Sequence, residues 1–162
     1  MKKFLCVLLC FIFFAGCKGE KNPTAVNRNI AYRAHIFYYG EEYDCLVTVK
    51  NDGSAEYVIK DGDMDGFCAL FCGDTVSYSY QGKESTSPVL YGKGMFAVLF
   101  DMNKKSGGCI AENEGGDCII RGSTAIGEFS LFVSGAGLPL YAELDGKDFY
   151  VDFYDVSIAK DS

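Results

Sequence analysis

From Ile30 onward the chain alternates apolar and polar residues in short runs, each closed by a turn signal. Side chains on a strand point to opposite faces in turn, so each alternating run has one apolar face to bury. "NIAYRAHIFYY" sets Ile30, Tyr32, Ala34, Ile36 and Tyr38 on one face. "EYDCLVTVK" does the same with Tyr43, Cys45, Val47 and Val49. "NDGS" between them and "AEYVIK" is a hairpin signal. "FCALFC" and "TVSYSY" follow, parted by Gly73-Asp74. Near the other end, "AIGEFSLFVSG" places Phe129, Leu131 and Val133 together. "LPLYAELDG" places Leu138, Leu140, Ala142 and Leu144 together, and "DFYVDFYDV" places Phe149, Val151 and Phe153 together. A chain with this many period-two segments and so few longer ones reads mostly as an antiparallel sheet.

The middle breaks the pattern. "MFAVLFDMNKK" carries Met95, Val98, Leu99 and Met102 at helical spacing, with Lys104 and Lys105 where a helix ends and Gly107-Gly108 beyond. The apolar run is nearly continuous, so a strand is the rival reading; a helix is expected, with Ser87-Pro88 as its cap and first residue. The expected fold class is mainly β (α+β), a curved antiparallel sheet wrapping a central helical segment. An antiparallel sheet normally has one dry face and one wet face. Here the polar face also carries Phe37, Tyr39, Phe132, Tyr141, Tyr150 and Tyr154.

The first residues follow other rules. Lys2 and Lys3 precede an uncharged run from Phe4 to Ala15, too short for the about 20 residues of a membrane-spanning helix but right for the apolar region of a signal peptide. The run ends at Ala15-Gly16-Cys17, which resembles the lipobox of bacterial lipoproteins, with Phe14 where Leu is usual. That resemblance implies cleavage after residue 16 and a diacylglycerol on the Cys17 thiol. Residues 1–16 are then a signal peptide, residues 17–29 a lipidated cysteine and polar tether, and residues 30–162 a single domain. Two acyl chains suffice for stable anchoring, so the expected location is the extracytoplasmic face of a cell membrane, with the lipid as anchor and no other cofactor. The formal charge is −7. Losing Lys2 and Lys3 makes it more acidic by two, which argues against nucleic acid as a partner.

The order of elements resembles small clostridial-type lipoproteins with the LolA/LolB-like half-barrel fold. The matching stretches are "FYYGEEYDCLVTV", "DMDGFCALFCGDTVSYSYQGK", "GKGMFAVLFDMNKK", "CIIRGSTAIGEFSLFV" and "GLPLYAELDGKDFYVDFYDV". The resemblance implies a half-barrel with an apolar hollow that holds acyl chains in better-known relatives. It brings no catalytic residues. The expected function is therefore a non-enzymatic lipoprotein binding a lipid or other apolar ligand. The alternative is a surface module that contacts a protein or glycan through exposed aromatics.

Candidate sites are few. The chain has eight cysteines. Five lie beyond the lipid site: Cys45, Cys68, Cys72, Cys109 and Cys118. A hairpin turning at Asn113 to Gly116 would face Cys109 and Cys118 for a disulfide, or both thiols simply pack. Cys68 and Cys72 on one strand share a face but stand about 13 Å apart, too far to bridge. Asp61, Asp63 and Asp65 open like a calcium loop, but Cys72 stands where the closing Glu belongs, leaving at most a weak ion site. The one histidine, His35, reads as a surface residue. No phosphate-binding loop or clustered zinc ligands occur.

Overall fold

The computed structural model describes residues 29–88, 94–105, 111–112 and 117–158. Among them run β1 (Ile30–Tyr38), β2 (Glu41–Val49), β3 (Ala55–Ile59), β4 (Cys68–Cys72), β5 (Thr75–Tyr80) and β6 (Lys83–Pro88). Then come α1 (Met95–Lys105), β7 (Ala111–Glu112), β8 (Cys118–Thr124), β9 (Gly127–Val133), β10 (Pro139–Leu144) and β11 (Phe149–Ile158). All the strands join one sheet in the order β6-β5-β4-β3-β2-β1-β11-β10-β9-β8-β7. Every pair is antiparallel. Two meanders, β1–β6 and β7–β11, are thus sewn together by their first and last strands, and α1 links them.

The turns are those the strands require. Tyr39 (φ 51°) and Gly40 (φ 90°) both take left-handed backbone in the β1–β2 link, the geometry that matches strand twist in a two-residue hairpin. In the β2–β3 link the Asp52 carboxylate accepts from the Ser54 backbone N–H at 2.8 Å and the Ser54 hydroxyl at 2.7 Å. Those bonds hold the Asp52 carboxyl below the ordinary Asp range.

The helix shows that the sheet curls. α1 packs on β8. It also stacks Phe100 on Phe71 of β4, stacks Phe96 on Tyr57 of β3, and bonds to Tyr32 of β1. β3 and β8 lie six strand spacings apart in the sheet order; laid flat, that is about 29 Å. A helix is only about 10–12 Å across with its side chains. The sheet must bend around α1 for both strands to reach it, which is the curved sheet around one helical segment that the sequence implies.

Ile30, Tyr32, Ala34, Ile36, Val47, Tyr57, Phe71, Phe129, Leu131 and Val151 point inward and are buried with Val98, Leu99 and Met102 of α1. At one place a ring fills the space that a side chain would need. Gly122 of β8 lies opposite Phe129 of β9, and a methyl group at Gly122 would come within 2.6 Å of that ring.

Two expectations fail in instructive ways. Ser87-Pro88 do not cap the helix; they end β6, opposite Val76 and Thr75. β6 itself, "KESTSP", has no alternating apolar face, because it is an edge strand with one neighbour and little to bury. Leu140 does not join Leu138, Ala142 and Leu144 inside. The pairing of β10 with β9 shifts register between Pro139 and Tyr141, so Pro139 takes the inward place and Leu140 is 44% exposed.

Candidate functional site

Two surfaces have the makings of a site: the hollow that holds α1, and the outward face of the central strands.

Inside, aromatic rings join the helix to the first meander. Phe100 stacks on Phe71 with centroids 4.6 Å apart, and Phe96 lies between Tyr57 at 5.3 Å and Phe67 at 6.1 Å. The polar exception is Asn103, one turn past Leu99 and Phe100. Its Nδ2 donates to the hydroxyls of Tyr32 (3.3 Å) and Tyr57 (3.2 Å). Both tyrosines are fully enclosed, and burial raises both phenols well above their ordinary pKa. Burial likewise pushes the Cys45 thiol up to about 12, with Asp61 and Asp44 adding to the effect. That thiol is an apolar core group at neutral pH.

Past Asn103 the packing opens. A pocket of about 240 Å³ lies between the end of α1 and the β2–β3 and β4–β5 turns. Val49, Ala55 and Phe100 give it an apolar floor, and Asp52, Asn103 and Lys104 give it a polar rim. The Lys104 ammonium stands 5.9 Å over the Phe100 ring. Asn103 did not stand out in the sequence, and Lys104 stood out only as a helix-end residue. The available signal was an Asn at i+3 from Phe100 and i+7 from Phe96, on the apolar stripe of the helix.

Outside, paired rings lie beside carboxylates. One cross-strand row reads Phe132, Tyr141, Asp152, His35, Asp44 over β9, β10, β11, β1 and β2; the next reads Ser130, Glu143, Tyr150, Phe37, Glu42. Phe37 and Tyr150 stack at 4.9 Å and 14°. Tyr141 packs against Phe132 at 5.7 Å and donates to Glu143 at 3.0 Å. Partial burial and that carboxylate push the Tyr141 phenol up to about 12. His35 Nδ1 bonds Asp44 Oδ1 at 3.0 Å, and its Nε2 lies 3.8 Å from Glu42 Oε2. Tyr154 also donates to Asp44, at 3.2 Å. Both nitrogens of the one histidine thus face carboxylates, not a hydroxyl or thiol of the kind a nucleophilic triad needs.

The residues singled out from the sequence are scattered. Cys17 and Cys109 lie outside the described residues. Cys118 is buried on β8, with Glu112 of β7 and Val133 of β9 as its cross-strand neighbours. Cys68 and Cys72 both face outward from β4, with Cys68 3.6 Å from Glu56. Desolvation and Glu56 raise the Cys68 thiol. Asp61, Asp63 and Asp65 flank and occupy a short 3-10 turn, Gly62–Met64. Asp61 Oδ1 accepts from the Asp44 backbone N–H at 3.1 Å. Among the described residues no three His, Cys, Asp or Glu side chains converge as metal ligands. No described helix is long and apolar enough to cross a membrane.

No family model matches the chain, and no curated protein matches it. Among solved structures, it is similar to the LolA superfamily protein NE2245 from Nitrosomonas europaea. That similarity covers 82% of this chain and 86% of that one, at 8% identity and a TM-score of 0.44. A likeness of this size assigns the chain to no family.

Proposed function

We propose that the protein is a membrane-anchored, extracytoplasmic lipoprotein that binds the apolar end of a lipid or similar ligand and catalyses nothing. The observation that supports this is the pocket at the end of α1, with its floor of Val49, Ala55 and Phe100 beneath Asn103 and Lys104. An apolar chain would lie on the floor, and its polar head would meet the rim. At about 240 Å³, the pocket falls below the about 300–1,000 Å³ of sites that enclose a whole drug-sized ligand. It therefore fits the end of a chain and not an entire lipid. The anchor would be Cys17, following its signal-like leader.

A fluorescent fatty acid titrated into the protein tests the site. Saturable binding is expected, weakened about tenfold, or about 1.4 kcal/mol, by Ala55→Leu, which fills the floor. Non-saturable binding, or equal binding by a correctly folded Ala55→Leu protein, would overturn the proposal. For the anchor, radiolabelled palmitate should enter the wild-type chain and not Cys17→Ala; equal labelling rules it out.

A further inference from the structure

We infer that the outward face of β9, β10, β11, β1 and β2 is a docking surface for a basic, extended protein segment, recognised through arginine or lysine side chains. The inference is independent of the apolar pocket, which lies on the other side of the sheet.

The array has a definite chemistry. Its two rows hold four aromatic rings, Phe37, Phe132, Tyr141 and Tyr150, and four carboxylates, Glu42, Asp44, Glu143 and Asp152. His35 and Ser130 complete the rows, so they contain no lysine or arginine. Arg121, opposite Ser130, and Arg33, opposite Tyr154 and Leu46, stand at its border. Lys147 stands on the hairpin that edges a recess of about 390 Å³ beside Tyr141, Glu143 and Tyr150.

Ring faces and carboxylates attract the same partner. A guanidinium stacks on an aromatic face and pairs with a neighbouring carboxylate, so each reinforces the other. Spacing favours an extended chain. Glu143 on β10 and Glu42 on β2 flank the stacked Tyr150–Phe37 pair, three strand spacings apart in the sheet order, or about 14 Å. An extended segment advances about 6.6 Å every two residues. Basic side chains four residues apart would therefore reach both carboxylates, each against the outer face of the ring beside it. An uncharged glycan would use the rings but leave the excess negative charge unmatched.

The test is fluorescence anisotropy with a labelled peptide of alternating arginine and serine, about seven residues long, at low ionic strength where charge pairing is least screened. The triple variant Glu42→Gln/Glu143→Gln/Asp152→Asn should weaken binding about tenfold or more. Asp63→Asn/Asp65→Asn/Asp74→Asn removes the same charge from exposed turns elsewhere and should change it less than about twofold. Tyr150→Leu, which keeps every charge, should weaken it several-fold. Equal losses in the two triple variants would show attraction to the acidic chain as a whole and overturn the inference. So would an unchanged affinity in Tyr150→Leu, or tighter binding of a neutral oligosaccharide than of the peptide. Fatty-acid binding should survive in the array variants, so the two sites fail separately.

Discussion

On the inner face Phe71 stacks on Phe100 at 4.6 Å, and both rings are almost fully enclosed. On the outer face Phe37 stacks on Tyr150 at a nearly equal 4.9 Å, but both rings are only half-buried and lie among carboxylates. The stacking geometry is similar; what differs is the water on the far side of the ring. Inside, the ring pair closes the core between sheet and helix. Outside, it forms an apolar platform with charged neighbours, a surface that retains something to offer a partner. Aromatic content alone therefore says little about a face of this sheet, and enclosure says most.

The sharpest test of that distinction is to remove one ring from each face. Phe71→Ala leaves a cavity against Phe100 and Tyr57 and should cost about 3–5 kcal/mol. Phe37→Ala exposes a surface that was half wet already and should cost about 1 kcal/mol. Urea denaturation of the two variants measures both. Equal costs would mean that the outer platform is structural, and would weaken the case for a partner there.

The next effect comes from the buried hydroxyls. Tyr32 and Tyr57 have raised pKa values in the folded chain because burial disfavours the phenolate. In the unfolded chain they titrate near the ordinary value of about 10. Above that pH the folded state holds protons that the unfolded state has lost. The contribution is whole below about 10 and declines as the pH rises toward the folded values. Each tyrosine should remove about 1.4 kcal/mol per pH unit in that range, about 2.7 kcal/mol for the pair. Urea midpoints at increasing alkaline pH should fall more steeply in wild type than in Tyr32→Phe/Tyr57→Phe. Matching slopes would mean that water reaches both hydroxyls, and that the inner face is not sealed at the Asn103 end.

The inner face was largely legible in the sequence, because a buried strand face must be apolar at every second residue. Tyr32, Ala34 and Ile36 on β1, and Phe129, Leu131 and Val133 on β9, are inward as their spacing requires. The helix from Met95 to Lys105 follows its i, i+3, i+4, i+7 pattern. What escaped was set by pairing and not by pattern. β6 exists because β5 offers it an edge, and Leu140 is turned outward by a register shift that no residue type announces. The candidate sites were less legible still. The pocket brings Val49, Ala55 and Phe100 together from three elements. The outer aromatics were visible one by one, but their place beside carboxylates depends on a register between β1 and β11, residues more than a hundred positions apart.

The smallest effect bears most directly on the outer platform. If Phe37 and Tyr150 form a true pair, their removal should be non-additive: Phe37→Ala and Tyr150→Ala together should cost less than the sum of the two. The coupling expected for stacked rings is about 0.5–1.5 kcal/mol. Glu42 and Glu143 flank the pair and do not take part in the stack, so the coupling should survive Glu42→Gln and high salt. That separates it from the charge-dependent docking expected on the same surface. A coupling near zero would mean that strand pairing alone holds the two rings side by side. They could then part to admit a planar guanidinium between them, and the outer face would differ from the inner in its freedom to rearrange as well as in its exposure.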